Sequence, residues 1–331
     1  MRSIAAFIFI IFALPSWAAC VGQDLLTAMA PEARASLEDK AHAQPYPEGI
    51  LWQATRGDQV IHLVGTMHFH EPRHDQTFAQ VKPWIDAAQT IFLELGDGDE
   101  QRLQTHITAN PGLAFIVDGP TLPDLLSPDD WARLSKAMTD RGTPAFFAAK
   151  MKPWMALMTL SLTKCVVEDM AAGKRGLDQR ILDYAGQIGN PGQALEPFDT
   201  AFKIFEGYGQ DEMLRFLSLY LRLENADPND QNYTMIEAYF REEIRVIWEL
   251  SLAQSLAEPQ GMSEDEILAE FARLEEALIT RRNIDWMDKI LPAADQGPVF
   301  IAVGALHLPG EFGVLNLLEE EGFQITRIAR E

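Results

Sequence analysis

The sequence predicts an α/β protein: a central, mostly parallel sheet covered by helices, with a large helical insertion at about 199–290 between the N-terminal and C-terminal strands. Three observations predict it. Strand-like runs are few and lie mainly toward the two ends. The stretch between them carries apolar residues at helical spacing. One apolar strand followed by Gly-x-x-His, Val60 to His68, is echoed by Val299 to His307.

In chain order, the opening MRSIAAFIFIIFALPSWAAC has a basic Arg2, an apolar run of eleven residues from Ile4 to Leu14, a breaking Pro15 and small residues at Ser16 and Ala18. This is the pattern of a secretory signal peptide over residues 1–18, too short for a mature membrane anchor. It implies an exported protein, periplasmic or secreted, with residues 19–331 as one domain. Leu51–Thr55 and Val60–Gly65 read as a hairpin about Arg56-Gly57-Asp58. Thr90–Leu95, Gln193–Leu195, Val299–Val303 and Gln324–Ile328 read as further strands; continuous apolar runs of this kind suit a sheet covered on both faces. Ser127-Pro128-Asp129-Asp130 is a helix start, with an N-cap, Pro at the first position and acids in the first turn. Gly176 to Ala185 reads as helix. Trp154 to Val167 is strongly apolar but about fourteen residues long and contains Lys164, so it reads as one buried helix and not a membrane span. Lys82-Pro83-Trp84 and Lys152-Pro153-Trp154 both read as helix starts with Pro near N1. Ile236, Phe240, Ile244, Ile247 and Leu250, then Ile267, Phe271, Leu274 and Leu278, form two helix-packing stripes.

Lys and Arg number 27 against 49 Asp and Glu, a net charge of −22. So acidic a chain, with no basic run longer than two residues, argues against nucleic acid or anionic lipid as a partner. The two cysteines, Cys20 and Cys165, exclude a thiolate zinc domain. In an oxidising compartment they are expected to pair. A lipid anchor at Cys20 is the weaker reading, because Trp17 stands where such a signal has a leucine-like residue.

Chemistry is expected beyond the carboxyl ends of the strands. Each Gly-x-x-His puts a histidine there, in a chain with seven histidines. Glu94 follows the apolar run TIFL, where an acid must be paired or ligated. His68, Glu94 and His307 therefore form a candidate set of two imidazoles and a carboxylate, able to hold a divalent transition metal with positions open to water; the alternative is two buried, satisfied histidines and a Glu94 paired with an arginine. Asp178, Glu196, Arg282, Asn283 and Glu311 are further candidates. His70-Glu71-Pro72-Arg73-His74 matches H-E-x-x-H, but Pro72 and the preceding strand deny it a regular helix, so it is read as a decoy. The acidic turn Asp97-Gly98-Asp99-Glu100 fails the EF-hand pattern. Dinucleotide, P-loop, nucleophile-elbow and C-x-x-C motifs are absent from the sequence.

LWQATRGDQVIHLVGTMH, TIFLELG, GLDQRILDYA, ALEPFDTAFKIF, RRNIDWMDKIL and FIAVGALHLPGEFGVLNLLEEEGFQITRI resemble, in order and spacing, the TraB/GumN family, from about Leu51 to the C-terminus. The resemblance implies an α/β fold like that of the erythromycin esterase and ChaN superfamily. It implies a site on His68, Glu94 and His307, with Arg282-Asn283 matching the family's Arg-Asn. Among relatives in the wider group, the animal Tiki proteins are metal-dependent proteases, the pheromone-shutdown branch acts on peptide signals, and ChaN binds haem. The expectation is an exported metal-dependent hydrolase, a peptidase, using manganese, cobalt or zinc on a peptide or protein substrate. Glu311 or Asp178 would be its base and Arg282 its oxyanion stabiliser. The alternative is a haem- or metal-binding envelope protein without catalysis, with Met67 beside His68 as a further haem ligand.

Overall fold

The computed structural model describes residues 20–222, 227–259 and 261–331; the expected signal peptide lies outside the described residues. Six strands, β1 (Leu51–Arg56), β2 (Gln59–Thr66), β3 (Thr90–Leu93), β4 (Gln193–Ala194), β5 (Val299–Gly304) and β6 (Gln324–Arg327), form one sheet in the order β4-β3-β5-β2-β1-β6. The pairings β3/β4, β3/β5 and β2/β5 are parallel; β1/β2 and β1/β6 are antiparallel. The expected mostly parallel α/β sheet is thus observed. The hairpin closes with Arg56 opposite Gln59, and its tight turn puts Gly57 at φ +60°, a conformation glycine adopts without steric cost.

The inner strands β2, β3 and β5 are covered on both faces, which is why they read as apolar runs. Phe300 and Ala302 pack with Val81 and Ile85 of helix His74–Ala87 and with Ile181 and Ala185 of helix Leu177–Gln187. Val299, Ile301 and Val303, on the opposite face by the two-residue period, pack with Trp286 and Ile290 of helix Arg281–Ala294 and with Val314, Leu315 and Leu318 of helix Val314–Glu320. Helices between β3 and β4, joined by the helices Thr200–Gly207 and Gln210–Leu221, build separate apolar clusters around Leu134, Met138, Leu160 and Leu217 and around Trp154, Phe202 and Met213. Ser127 caps helix Pro128–Asp140 through its hydroxyl, which accepts the Asp130 N–H at 3.1 Å, as the start signal indicated.

Several local expectations change. The apolar stretch from Trp154 is two helices, Pro153–Ser161 and Lys164–Ala171, because Thr163 leaves the helix and caps the second by accepting the Val166 N–H. The stripe from Ile236 to Leu250 is shared by helices Pro228–Phe240 and Ile244–Ala257. Between them Glu242 stands at φ +65°, held by the Gly49 N–H on its carbonyl and Arg327 on its carboxylate. Pro153 opens its helix, but Pro83 lies inside helix His74–Ala87. Leu278 falls in a π-helical turn, Glu276–Thr280, that joins helix Glu264–Glu275 to helix Arg281–Ala294.

Cys20 and Cys165 form a disulfide with Cα atoms 5.6 Å apart, closing a sequence separation of 145. No helix of the described residues is long and apolar enough to cross a membrane.

Candidate active site

Thr66 ends β2, Leu93 ends β3 and Ala302 lies near the end of β5, and all three open on one cavity of about 520 Å³. The parallel register sets Thr66 opposite Gly304, so the two Gly-x-x-His segments leave the sheet side by side. His68, Glu94, Asp178, Glu196 and Arg282 also line the cavity. A side-chain carbon built on Gly304 would lie 3.1 Å from Glu94 Oε1, 3.6 Å from His307 Cδ2 and 3.9 Å from His68 Nε2. The three expected partners do converge, and the smallness of Gly304 makes the room.

The two histidines differ in environment. His307 is buried beneath the floor, its Nδ1–H donating to Asn283 Oδ1 at 2.6 Å. Asn283 in turn donates to the carbonyls of His307 and Phe312, which fixes the ring and its tautomer. His307 Nε2 then accepts from Arg282 Nη1 at 3.0 Å. Burial, helped by the Arg282 charge, drives its pKa down to about 3 despite the Glu94 carboxylate, so His307 is neutral. His68 stands at the mouth with its side chain 61% exposed, and its Nδ1–H donates to Asp178 Oδ2 at 2.9 Å. Protein crowding around the ring opposes its charge, but the Asp178 contact and the nearby Glu94 outweigh that and raise its pKa to about 9. That exposure lets cavity water reach the ring and screen it in part, while the direct carboxylate contact sets the upward direction of the shift.

Arg282 occupies the centre. Its Nε–H and one Nη2–H donate to the two oxygens of Glu196 at 2.7 and 2.8 Å, and the other Nη2–H reaches Glu94 Oε2 at 2.6 Å. Nη1 serves the Leu278 carbonyl at 2.9 Å and His307 Nε2. Each of the five guanidinium protons therefore has a partner within the protein. Glu94 Oε1 also accepts the Gly304 N–H at 2.6 Å. Burial would raise the Glu94 pKa; His307, His68, Arg282 and the Gly304 N–H counter it and hold it at about 2. Since His307 is neutral, Arg282 and protonated His68 carry that effect at neutral pH. Burial raises the pKa of Glu196, against the pull of Arg282.

A divalent metal on His68, Glu94 and His307 does not fit this arrangement. The single lone pair of His307 Nε2 is taken by a guanidinium proton, and that nitrogen lies 4.0 Å from Glu94 Oε1. Among the described residues, three such side chains bring their ligand atoms within 4.8 Å of one another only at Cys20, Cys165 and Asp169, where the sulfurs are bonded to each other. Met67 is buried in the core, away from a haem-ligand position. Glu311 is exposed and does not line the cavity. Helix His74–Ala87 begins only at the last residue of the H-E-x-x-H run; His74 is fully buried with Nε2 on the Phe69 carbonyl, and neither His70 nor His74 lines the cavity.

Sequence reading missed Thr66, whose buried Oγ1 has no hydrogen-bond partner within the protein, and the apolar wall of Phe198, Phe202 and Phe205. Thr66 lies inside the Gly-Thr-Met-His segment and was findable as a strand end; the phenylalanines carried no signal beyond ordinary helix packing.

The chain belongs to the TraB/PrgY/gumN family, whose model it matches over residues 50–327. No curated protein and no solved structure matches it.

Proposed function

We propose that this protein is an exported hydrolase that cleaves an acyl bond, a peptide bond in a peptide or protein substrate, by proton transfer through His68. The observation that carries the reading is the His68–Asp178 pair: one ring nitrogen on a carboxylate, the ring open to a cavity that combines the Glu94–Arg282–Glu196 cluster with an apolar wall of Phe198, Phe202 and Phe205. Asp178 orients the ring and raises its basicity. In its neutral form His68 takes a proton from water as the water oxygen attacks the acyl carbon, and then returns it to the leaving nitrogen. Leu103, Met158, Leu182 and Phe202 support a substrate that presents an apolar side chain. The disulfide between Cys20 and Cys165 supports an oxidising compartment.

The metal-dependent form of this reading would need Arg282 to leave His307 and Glu94, so no step is assigned to a metal. A fluorogenic peptide library tests the proposal. Wild type is expected to retain activity under chelation, while His68→Ala loses about 10²-fold or more, the usual worth of a positioned acid–base group. Equal turnover by wild type and His68→Ala would reject the reading; activity abolished by chelation and restored by manganese, cobalt or zinc would return it to the metal-dependent form.

A further inference from the structure

We infer that a second cavity, in the helical part of the chain, binds a small apolar primary amine, with Glu270 receiving the ammonium group and Tyr208 lending its hydroxyl. The inference stands apart from whether the chain hydrolyses anything. The cavity holds about 350 Å³, within the range of small-molecule sites, and shares only Phe205 with the His68 cavity. Leu157, Met213, Phe216, Ile267, Phe271 and Leu274 give it an apolar wall. Ile267, Glu270, Phe271 and Leu274 lie at i, i+3, i+4 and i+7 of helix Glu264–Glu275, so they share one face. Glu270 is thus an acid set inside an apolar stripe, where simple helix packing would call for another apolar residue.

The head group follows from what the cavity leaves unmet. Glu270 Oε1 is buried with no hydrogen-bond partner within the protein, and so is the hydroxyl of Tyr208, a residue only 4% exposed. Arg273 does not serve them. Its Nη1 and Nη2 donate to the two oxygens of Glu212 at 2.6 and 2.8 Å; it reaches Glu270 Oε2 only at 3.8 Å, and its guanidinium lies over the face of the Tyr208 ring. Burial pushes the Glu270 carboxyl up against the pull of Arg273. A buried acceptor without a donor is costly, and a ligand that brings the donor recovers the loss. The terminal torsion of a carboxylate is soft, so an oxygen can turn to meet it. Among the described residues that line the cavity there is no lysine or arginine, whereas Glu258 and Glu270 are both there. This charge favours a cationic head and repels a carboxylate.

The test is calorimetric titration of the full-length mature protein with octylamine, octanol and octanoate, which share one chain and differ in the head. Wild type should bind one equivalent of octylamine about tenfold more tightly than octanol, because a charge-assisted hydrogen bond is about twice as strong as a neutral one. Octanoate should show no saturable binding. Glu270→Gln keeps the shape of the side chain and should erase the tenfold gap while still binding octanol. Tyr208→Phe should weaken octylamine and octanol alike, and Ser255→Trp, which fills the cavity, should abolish both. The inference is overturned if wild type binds octanol or octanoate as tightly as octylamine, if none of the three binds saturably, or if Glu270→Gln keeps the full octylamine affinity, the amine then having settled elsewhere on an acidic surface. Glu270→Gln and Tyr208→Phe preserve side-chain shape, so the test stands even where Ser255→Trp does not fold. Failure of the hydrolase reading would appear instead in the peptide assay with His68→Ala and leaves these titrations untouched.

Discussion

Asp178→Asn removes the charge beside His68 and leaves a side chain of the same shape. In the native protein Asp178 Oδ2 lies 2.9 Å from His68 Nδ1, and the imidazole pKa is raised to about 9. A full opposite charge this close moves a pKa by roughly 1–3 units. The ring is 61% exposed, so water screens the contact and the lower part of that range applies: the pKa should fall by about 1–2 units. The sign for stability follows. A raised native pKa means that His68 stabilises the fold below its ordinary value near 6.5, and that this contribution disappears as pH rises through about 9. The assay is NMR titration of ¹⁵N-labelled imidazoles, seven in the chain, with His68 assigned by the signal lost in His68→Gln. In wild type the hydrolytic rate should climb along the same curve, because neutral His68 is the proton acceptor, and in Asp178→Asn the climb should begin at lower pH. Coincident His68 titrations in the two proteins would refute the reasoning, since the carboxylate would then not be what holds the proton.

Other expectations concern the same framework. Glu196→Ala leaves the Arg282 guanidinium buried with only part of its partners, and chemical denaturation should show a loss of about 3–5 kcal/mol. Gly176→Ala would drive a methyl group into the His68 carbonyl, so it should destabilise the fold and shift the His68 imidazole resonances, whereas Gly173→Ala, with open space about it but a left-handed backbone, should cost only about 1 kcal/mol and leave them in place. Reduction of the Cys20–Cys165 bridge should lower stability by about 3–5 kcal/mol, measured by denaturation with and without reductant. His74 is buried and its pKa is pushed down to about 4 by desolvation, against the Phe69 carbonyl. Its contribution is complete above about 6.5 and is lost as pH falls through 4, so His74→Gln should flatten that part of a stability-against-pH curve.

The sequence by itself determined what depends on near neighbours in the chain. Apolar, β-branched runs marked the inner strands β2, β3 and β5, which are covered on both faces, while the edge strands β4 and β6 are short and largely open to solvent. Ser127 and Pro128 marked a helix start because a cap is a contact across three residues. The Gly-x-x-His echo placed two histidines beyond adjacent parallel strands, and the paired cysteines followed from the expected compartment. Helix breaks were harder. The stripe from Ile236 to Leu250 keeps helical spacing across Glu242, and what turns the chain there is Gly49 and Arg327, both remote in sequence.

The site's chemistry was decided by tertiary structure. Arg282 meets Glu94 across 188 residues and Glu196 across 86, and His68 meets Asp178 across 110. Sequence spacing records periodicity along one element. It does not record which side chain fills the space between elements, and so it named Arg282 and His307 as candidates without showing that one donates a proton to the other's only lone pair. The same cause separates Glu94, drawn into the cavity at the end of β3, from Glu311, four residues beyond His307 in sequence yet turned out to solvent.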